Sequence, residues 1–198
     1  MTPQERQRVL DGALELCGRQ ALREISLDQL ARTAGVSSLD IVRTFQSKEN
    51  ILKAVLEREL ELMAAAAHDP ELRMPGETLR DELMVLARVI LDEYRRRLPL
   101  LGRLLAEAMN DPEVGAVFYR TFIVQGRQLF TGFLKSRARL GELRDDVDVE
   151  AAAAMFLSSL TGALLMVELF GGKHVESLDD LRYVAHTADI FLQGVGRP

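Results

Sequence analysis

LDQLARTAGVSSLDIVRTF, Leu27 to Phe45, holds two helical repeats hinged on one glycine. Apolar or small residues recur at Leu27, Leu30, Ala31 and Ala34; a second set resumes at Val36, Leu39, Ile41, Val42 and Phe45. The spacing predicts a helix, a tight turn and a second helix. Ala31 is small where two helices must cross closely, Gly35 can take the left-handed conformation that ends the first helix, and Val36 plugs the turn from beneath. Ser37 can cap the second helix, with Asp40 as its return partner. A helix-turn-helix of this kind lays its second helix in the DNA major groove, although a plain helical hairpin shares the pattern.

The flanks extend this unit in both directions. Thr2-Pro3-Gln4-Glu5 is a helix start, with a hydroxyl cap, proline at the first helical position and a glutamate to close a capping box. That helix carries Val9, Leu10, Ala13, Leu14, Leu16 and Cys17 to a stop at Gly18. Ser26 to Gln29 reads as a second capping box, and the Ser26 hydroxyl with the first helical amides could also hold a phosphate. Phe45 should close a small three-helix core. Ser47 caps a further helix whose first turn carries Lys48, a cation opposed by the helix dipole. A phosphate would explain that lysine; so would a solvated side chain offset by Glu49.

The chain has 198 residues, 47% of them apolar, and a mean hydropathy of zero, as a soluble globular protein requires. No charge-free apolar run reaches about 18 residues, which predicts no membrane span. The apolar stretch Ala151 to Val167 reads as a buried helix, and the N-terminus does not read as a signal peptide. A single cysteine excludes an internal disulfide and suits the cytoplasm, with Cys17 on the apolar side of its helix. The net charge of -5 is uneven: residues 1–48 carry +1 and residues 49–198 carry -6. Contact with phosphate needs only a local face, so overall acidity excludes little.

Beyond the head the pattern is helical throughout. A long helix should run from Asn50 through Val55, Leu56, Leu60 and Met63 to end near His68-Asp69-Pro70, followed by a turn-rich linker at Pro75-Gly76. The next should span Glu77 to Arg97, closed by Arg95-Arg96-Arg97, with Pro99 breaking the chain before a shorter helix from Leu100 to Met109. The basic triplet fits a solvated helix end better than a nucleic-acid patch. One helix should run from Pro112 to Leu140, where Gly141 ends it, and two more over 149–170 and 177–193. Six of eight phenylalanines and two of three tyrosines lie between Glu93 and Phe170. Such a set is ordinarily core, yet together it makes an apolar ligand cavity plausible. Met84, Tyr94, Leu105, Met109, Tyr119, Phe122 and Met155 are the candidate lining. The helix from 149 is apolar nearly all round, so it either fills its own domain's centre or pairs with a second copy.

LARTAGVSSLDIVRTFQSKENIL, Leu30 to Leu52, resembles the N-terminal DNA-binding region of the tetracycline-repressor (TetR) family of transcriptional regulators. The shared marks are Ala31, the Ala34-Gly35-Val36-Ser37 turn, Phe45 and Ser47-Lys48-Glu49. With the first helix they cover about residues 3 to 55. The remainder resembles the family in layout, including the run from Leu104 through Asp111-Pro112 to Gly141-Glu142-Leu143-Arg144 and Asp148. Three positions depart from the family's usual pattern: Leu39 stands for a glycine, Val42 for a tyrosine and Thr44 for another aromatic. Those tyrosines typically touch phosphate. Asp40 could accept from a cytosine amino group, but capping its own helix is the favoured reading. The resemblance implies Ser37, Ser38, Asp40, Arg43 and Thr44 as DNA-facing residues, with Ser26, Gln46 and Lys48 as phosphate candidates. Arg43 is a guanine reader or a phosphate clamp.

The expectation is an all-α chain, with an N-terminal three-helix helix-turn-helix domain over 1–48 and a helical ligand-binding and dimerisation domain over 49–198. It would be a homodimer through its last two helices, bind double-stranded operator DNA, be released by a small apolar effector, and use no cofactor. The competing reading is a helical small-molecule-binding or interaction protein whose head has lost DNA affinity. No enzyme is expected: His68, His174 and His186 are far apart, no pair has the i, i+4 spacing of a helical zinc site, and no phosphate-binding glycine loop appears.

Overall fold

The computed structural model describes residues 1–67, 78–175 and 179–197. Nine α-helices follow one another among these residues: α1 (Pro3–Cys17), α2 (Leu27–Ala34), α3 (Ser38–Phe45), α4 (Lys48–Ala67), α5 (Leu79–Ala108), α6 (Pro112–Phe118), α7 (Gln125–Arg139), α8 (Val149–Leu169) and α9 (Asp180–Val195). The expected helix end at His68-Asp69-Pro70, the linker at Pro75-Gly76 and the helix starts at Glu77 and Ser177 lie outside the described residues. The described parts of α5 and α9 begin at Leu79 and, under an Asp179 cap, at Asp180.

Among the described residues, packing groups the chain into two compact units, one within 1–61 and 97–124, the other within 62–96 and 125–198. The first unit is built on the head. Thr2 closes its capping box with Glu5, and the buried face of α1 comprises Val9, Leu10, Ala13, Leu16 and Cys17. A β-carbon on Gly12 would meet Thr33 Cγ2 at 3.1 Å, so glycine lets α1 lie close against α2. Burial pushes the Cys17 thiol up to about 11, with Glu107 adding to the shift, which keeps the sulfur protonated and inert. The segment from Arg97 joins this unit through Leu100, Leu101 and Leu104, all buried, and through two hydrogen bonds to the α1–α2 link. In these, Arg103 Nε donates to the Gly18 carbonyl at 2.7 Å and the Leu22 amide donates to Glu107 Oε2 at 3.0 Å.

Those buried leucines explain a departure from the sequence expectation. Pro99 does not break the chain; it lies inside α5, which continues to Ala108. An internal proline costs about 3 kcal/mol or more. Burying three leucines at about 1.5–3 kcal/mol each outweighs it. The arginine triplet is accordingly mid-helix and paired: Arg95 with Glu168 and Asp180, Arg96 with Glu93, and Arg97 with the buried Glu59. It is neither a solvated helix end nor a nucleic-acid patch. The helix expected from Pro112 to Leu140 is also interrupted, by a π-helical turn over Tyr119–Val124.

The second unit centres on Leu83, Ala87 and Leu91 of α5, Phe130 and Leu134 of α7, Ala153, Phe156, Leu160 and Leu164 of α8, and Val184 and Ala188 of α9. Phe156 sits between Phe130 and Phe191, each with ring centroids 4.9 Å away. By length and composition alone α8 is long and apolar enough to cross a membrane, but its apolarity serves this core on one side.

Gly35 has φ +63°, and no atom lies within 4 Å of where its β-carbon would be, so backbone conformation alone selects glycine there. Gly35→Ala is expected to lower stability by about 1–2 kcal/mol, read as a shift of the urea midpoint at unchanged slope.

Candidate nucleic-acid interface

The turn between α2 and α3 forms as the sequence predicts. Ser26 Oγ accepts the Gln29 amide at 3.0 Å, the Val36 amide reaches the Ala31 carbonyl at 3.1 Å across Gly35, and Ser37 Oγ accepts the Asp40 amide at 3.1 Å. Neither serine completes a capping box. The Gln29 side chain accepts from Gln20 Nε2 at 2.9 Å, and Asp40 Oδ2 accepts a hydrogen bond from the Ser37 hydroxyl at 2.6 Å. The Asp40 carboxylate therefore holds the cap's hydroxyl rather than its backbone amide, since a 2.6 Å bond between neighbouring side chains satisfies both groups locally.

Helical geometry sorts α3 into two faces. Ile41 and Phe45 are buried. At roughly 100° per residue, Arg43 and Leu39 fall opposite them, Asp40 lies next to that side, and Val42 and Thr44 take the two flanks; Gln46 caps the helix end outside its repeat. Leu39, Val42, Arg43, Thr44 and Gln46 are all exposed, Leu39 at 56% and Val42 at 43%. This corrects the sequence reading, which placed Leu39 and Val42 in the second helix's apolar set with Ile41. For Leu39 the angular distance from Ile41 and Phe45 was the available signal; Val42, on the flank beside Phe45, carried none.

Several proposed contact groups are already engaged. Ser38 Oγ donates to Asp28 Oδ1 at 2.6 Å, and Lys48 Nζ donates to the Arg23 carbonyl at 3.1 Å. Ser26 and Ser37 serve as caps. Arg43 and Thr44 are exposed, and neither has a hydrogen-bond or ionic partner among the described residues. Gln46 has φ +69° and ψ -37°, the one non-glycine residue with positive φ among the described residues. The Ser47 amide bonds the Phe45 carbonyl across it at 2.8 Å, closing a three-residue turn of a strained type. Ser47 then caps α4 by accepting the Asn50 amide at 3.2 Å. Two arginines unforeseen in the sequence brace the head: Arg6 lies over the Phe45 ring at 5.7 Å, and Arg8 Nε donates to the Ala34 carbonyl at 3.0 Å.

The candidate effector residues divide between the two units. Met84, Tyr94 and Met155 belong to the second unit, and Leu105, Met109, Tyr119 and Phe122 to the first. Met109 is 87% exposed and Met155 72%, and Tyr119 is also on the surface, so these three line no enclosed space within their own unit. Phe122 is fully buried against Phe118. Leu105, Met84 and Tyr94 are half-buried, and burial raises the Tyr94 phenol to about 12.

Two family profiles match the chain. That of the bacterial regulatory proteins of the tetR family covers residues 9–55, and that of the AefR-like transcriptional repressor C-terminal domain covers 78–194. The HTH-type transcriptional regulator YvkB of Bacillus subtilis strain 168 is 23% identical over 189 residues, spanning 95% of both chains. The HTH-type transcriptional regulator SrpR of Pseudomonas putida is 28% identical over 166 residues, 80% of this chain and 73% of that protein. The solved structure of the flavonoid-responsive regulator FrrA shares the fold, with a TM-score of 0.78 at 22% identity over 98% of each chain. With a glycine-hinged helix-turn-helix that presents one face of α3 to solvent, and a helical body matched along α5 to α9, the chain belongs to the TetR family of DNA-binding transcriptional regulators.

Proposed function

We propose that the chain is a homodimeric repressor of the cytoplasm that grips a palindromic operator and releases it when a small apolar effector enters the helical body. The observation that carries the DNA side is the exposed set of Leu39, Val42, Arg43 and Gln46, backed by the buried Ile41 and Phe45. A single short helix offers a small interface. Two heads spaced one DNA turn apart read an inverted repeat, which favours a symmetric pair.

The body supplies an apolar surface for such a pair. Met155 and Met166 on one face of α8 and Ile190 on the outer face of α9 are large apolar residues left exposed in the single chain. Scattered exposed hydrophobes are common, but these three on two packed helices fit a four-helix contact between copies. We therefore assign dimerisation to α8 and α9. The Met166→Asp, Ile190→Asp variant is expected to sediment as a folded monomer and to lose operator binding at least tenfold, although its head is untouched. A variant that remains dimeric would remove α8 and α9 from the interface.

The similarity of residues 78–194 to an AefR-like repressor domain supports repression, and the flavonoid-responsive FrrA supports an apolar, ring-bearing effector class. Of the proposed effector contacts, Met84 and Tyr94 of the second unit are retained, being half-buried within one unit. The thermodynamics are reciprocal: an effector that weakens operator binding by some factor must itself bind the operator complex more weakly by that factor. Titrating candidate ring compounds against the operator complex tests this, with release of DNA expected and unchanged affinity for every compound contradicting effector control.

A further inference from the structure

The exposed face of α3 carries a chemical bias that the helix-turn-helix alone does not require. The short hydroxyls at its start are committed inside the head, with Ser37 bonded to Asp40 and Ser38 donating to Asp28. Asp40 is itself occupied by Ser37. The groups left exposed and unengaged along α3 and its C-cap are two aliphatic side chains, Leu39 and Val42, together with Arg43, Thr44 and Gln46. Leu39 and Val42, three residues apart, stand toward one side of the helix, and Arg43 is the single cation among these groups.

Major-groove base edges present one apolar group, the C5 methyl of thymine. An aliphatic side chain against that methyl removes both from water, whereas against cytosine it meets a bare ring edge and an amino donor. Leu39 and Val42 are separated by about 4.5 Å along the helix axis, comparable to the roughly 3.4 Å step between stacked bases. They can therefore address thymines on neighbouring base pairs. Arg43 lies one turn after Leu39 on the same face.

Resting on the reading of α3 as the DNA-facing helix, we propose that Leu39 and Val42 are specificity-determining residues that read thymine methyl groups in each operator half-site, next to the position contacted by Arg43. The half-site then prefers two closely spaced thymines, and the methyl carbon, rather than the hydrogen-bonding edge, is the feature recognised.

Replacing half-site thymines by deoxyuridine in an operator obtained by selection from random duplexes tests this. The substitution removes the methyl and leaves the hydrogen-bonding edge intact. Wild-type protein is expected to lose about fourfold in affinity per methyl removed, the equivalent of one buried CH₂. Deoxyuridine outside the half-sites should have no effect. In the Leu39→Ala, Val42→Ala variant the penalty should vanish; both side chains are exposed, so circular dichroism and melting should match the wild type. Equal wild-type binding to thymine and deoxyuridine operators overturns the proposal while leaving sequence-selective DNA binding intact. A penalty that persists in the double variant overturns it too, by assigning the methyl effect to DNA shape or another side chain. If the folded dimer selects no DNA sequence, both this proposal and the operator-binding reading fall.

Discussion

Arg43→Ala is expected to weaken binding to a selected operator by about 1–3 kcal/mol per head, so by about 2–6 kcal/mol for a dimer with both heads engaged. The side chain is exposed, has no hydrogen-bond or ionic partner among the described residues, and lies diametrically across α3 from Ile41. Its loss removes nothing from the head's own packing, so melting should be unchanged. A residue at the middle of the outward face points toward the groove floor, whereas phosphates are met from its edges. The expected signature is therefore relaxed preference at one base pair in each half-site, with little change in the slope of log affinity against log salt. Uniform loss across sequences, with the slope reduced by about one for each head, would make Arg43 a phosphate contact instead.

The largest effect on stability is expected at Phe156. This side chain is 1% exposed and is flanked by Phe130 and Phe191 at 4.9 Å, joining α7, α8 and α9. Truncation removes its transfer free energy and leaves a cavity that two rigid rings fill poorly. Phe156→Ala is expected to cost about 3–5 kcal/mol. For a chain of this size that is roughly 6–20 °C in melting temperature. A loss below about 1 kcal/mol would show that the second unit repacks around the site, and would contradict the close-packed core described for it.

The head was legible because its signals are local. Gly35, the Ser26, Ser37 and Ser47 caps and the Ile41–Phe45 repeat each act within one or two helical turns. The limits appeared where local preference met tertiary packing. Pro99 is a helix breaker by itself, yet three buried leucines carry α5 through it. The half-formed capping boxes have the same origin, because the expected return partners found better bonds with Gln20 and with the Ser37 hydroxyl. Leu39 and Val42 read as core because aliphatics usually are; the angle to Ile41 and Phe45 separates Leu39, whereas Val42 lies on the flank beside Phe45 and its exposure follows from tertiary packing. The effector residues were the least legible, since an aromatic list fixes no three-dimensional neighbours. Met109 and Met155 prove to be surface residues, and Phe122 is core packed on Phe118.

The most direct test of the account is selection of random duplex DNA by the purified, folded dimer, followed by affinity measurements at several salt concentrations. The account predicts enrichment of an inverted repeat with half-sites one helical turn apart and affinity that falls steeply as salt rises. Binding that stays equally weak for every sequence would contradict it, and would leave the helical body, rather than α3, as the part of the chain that recognises a partner.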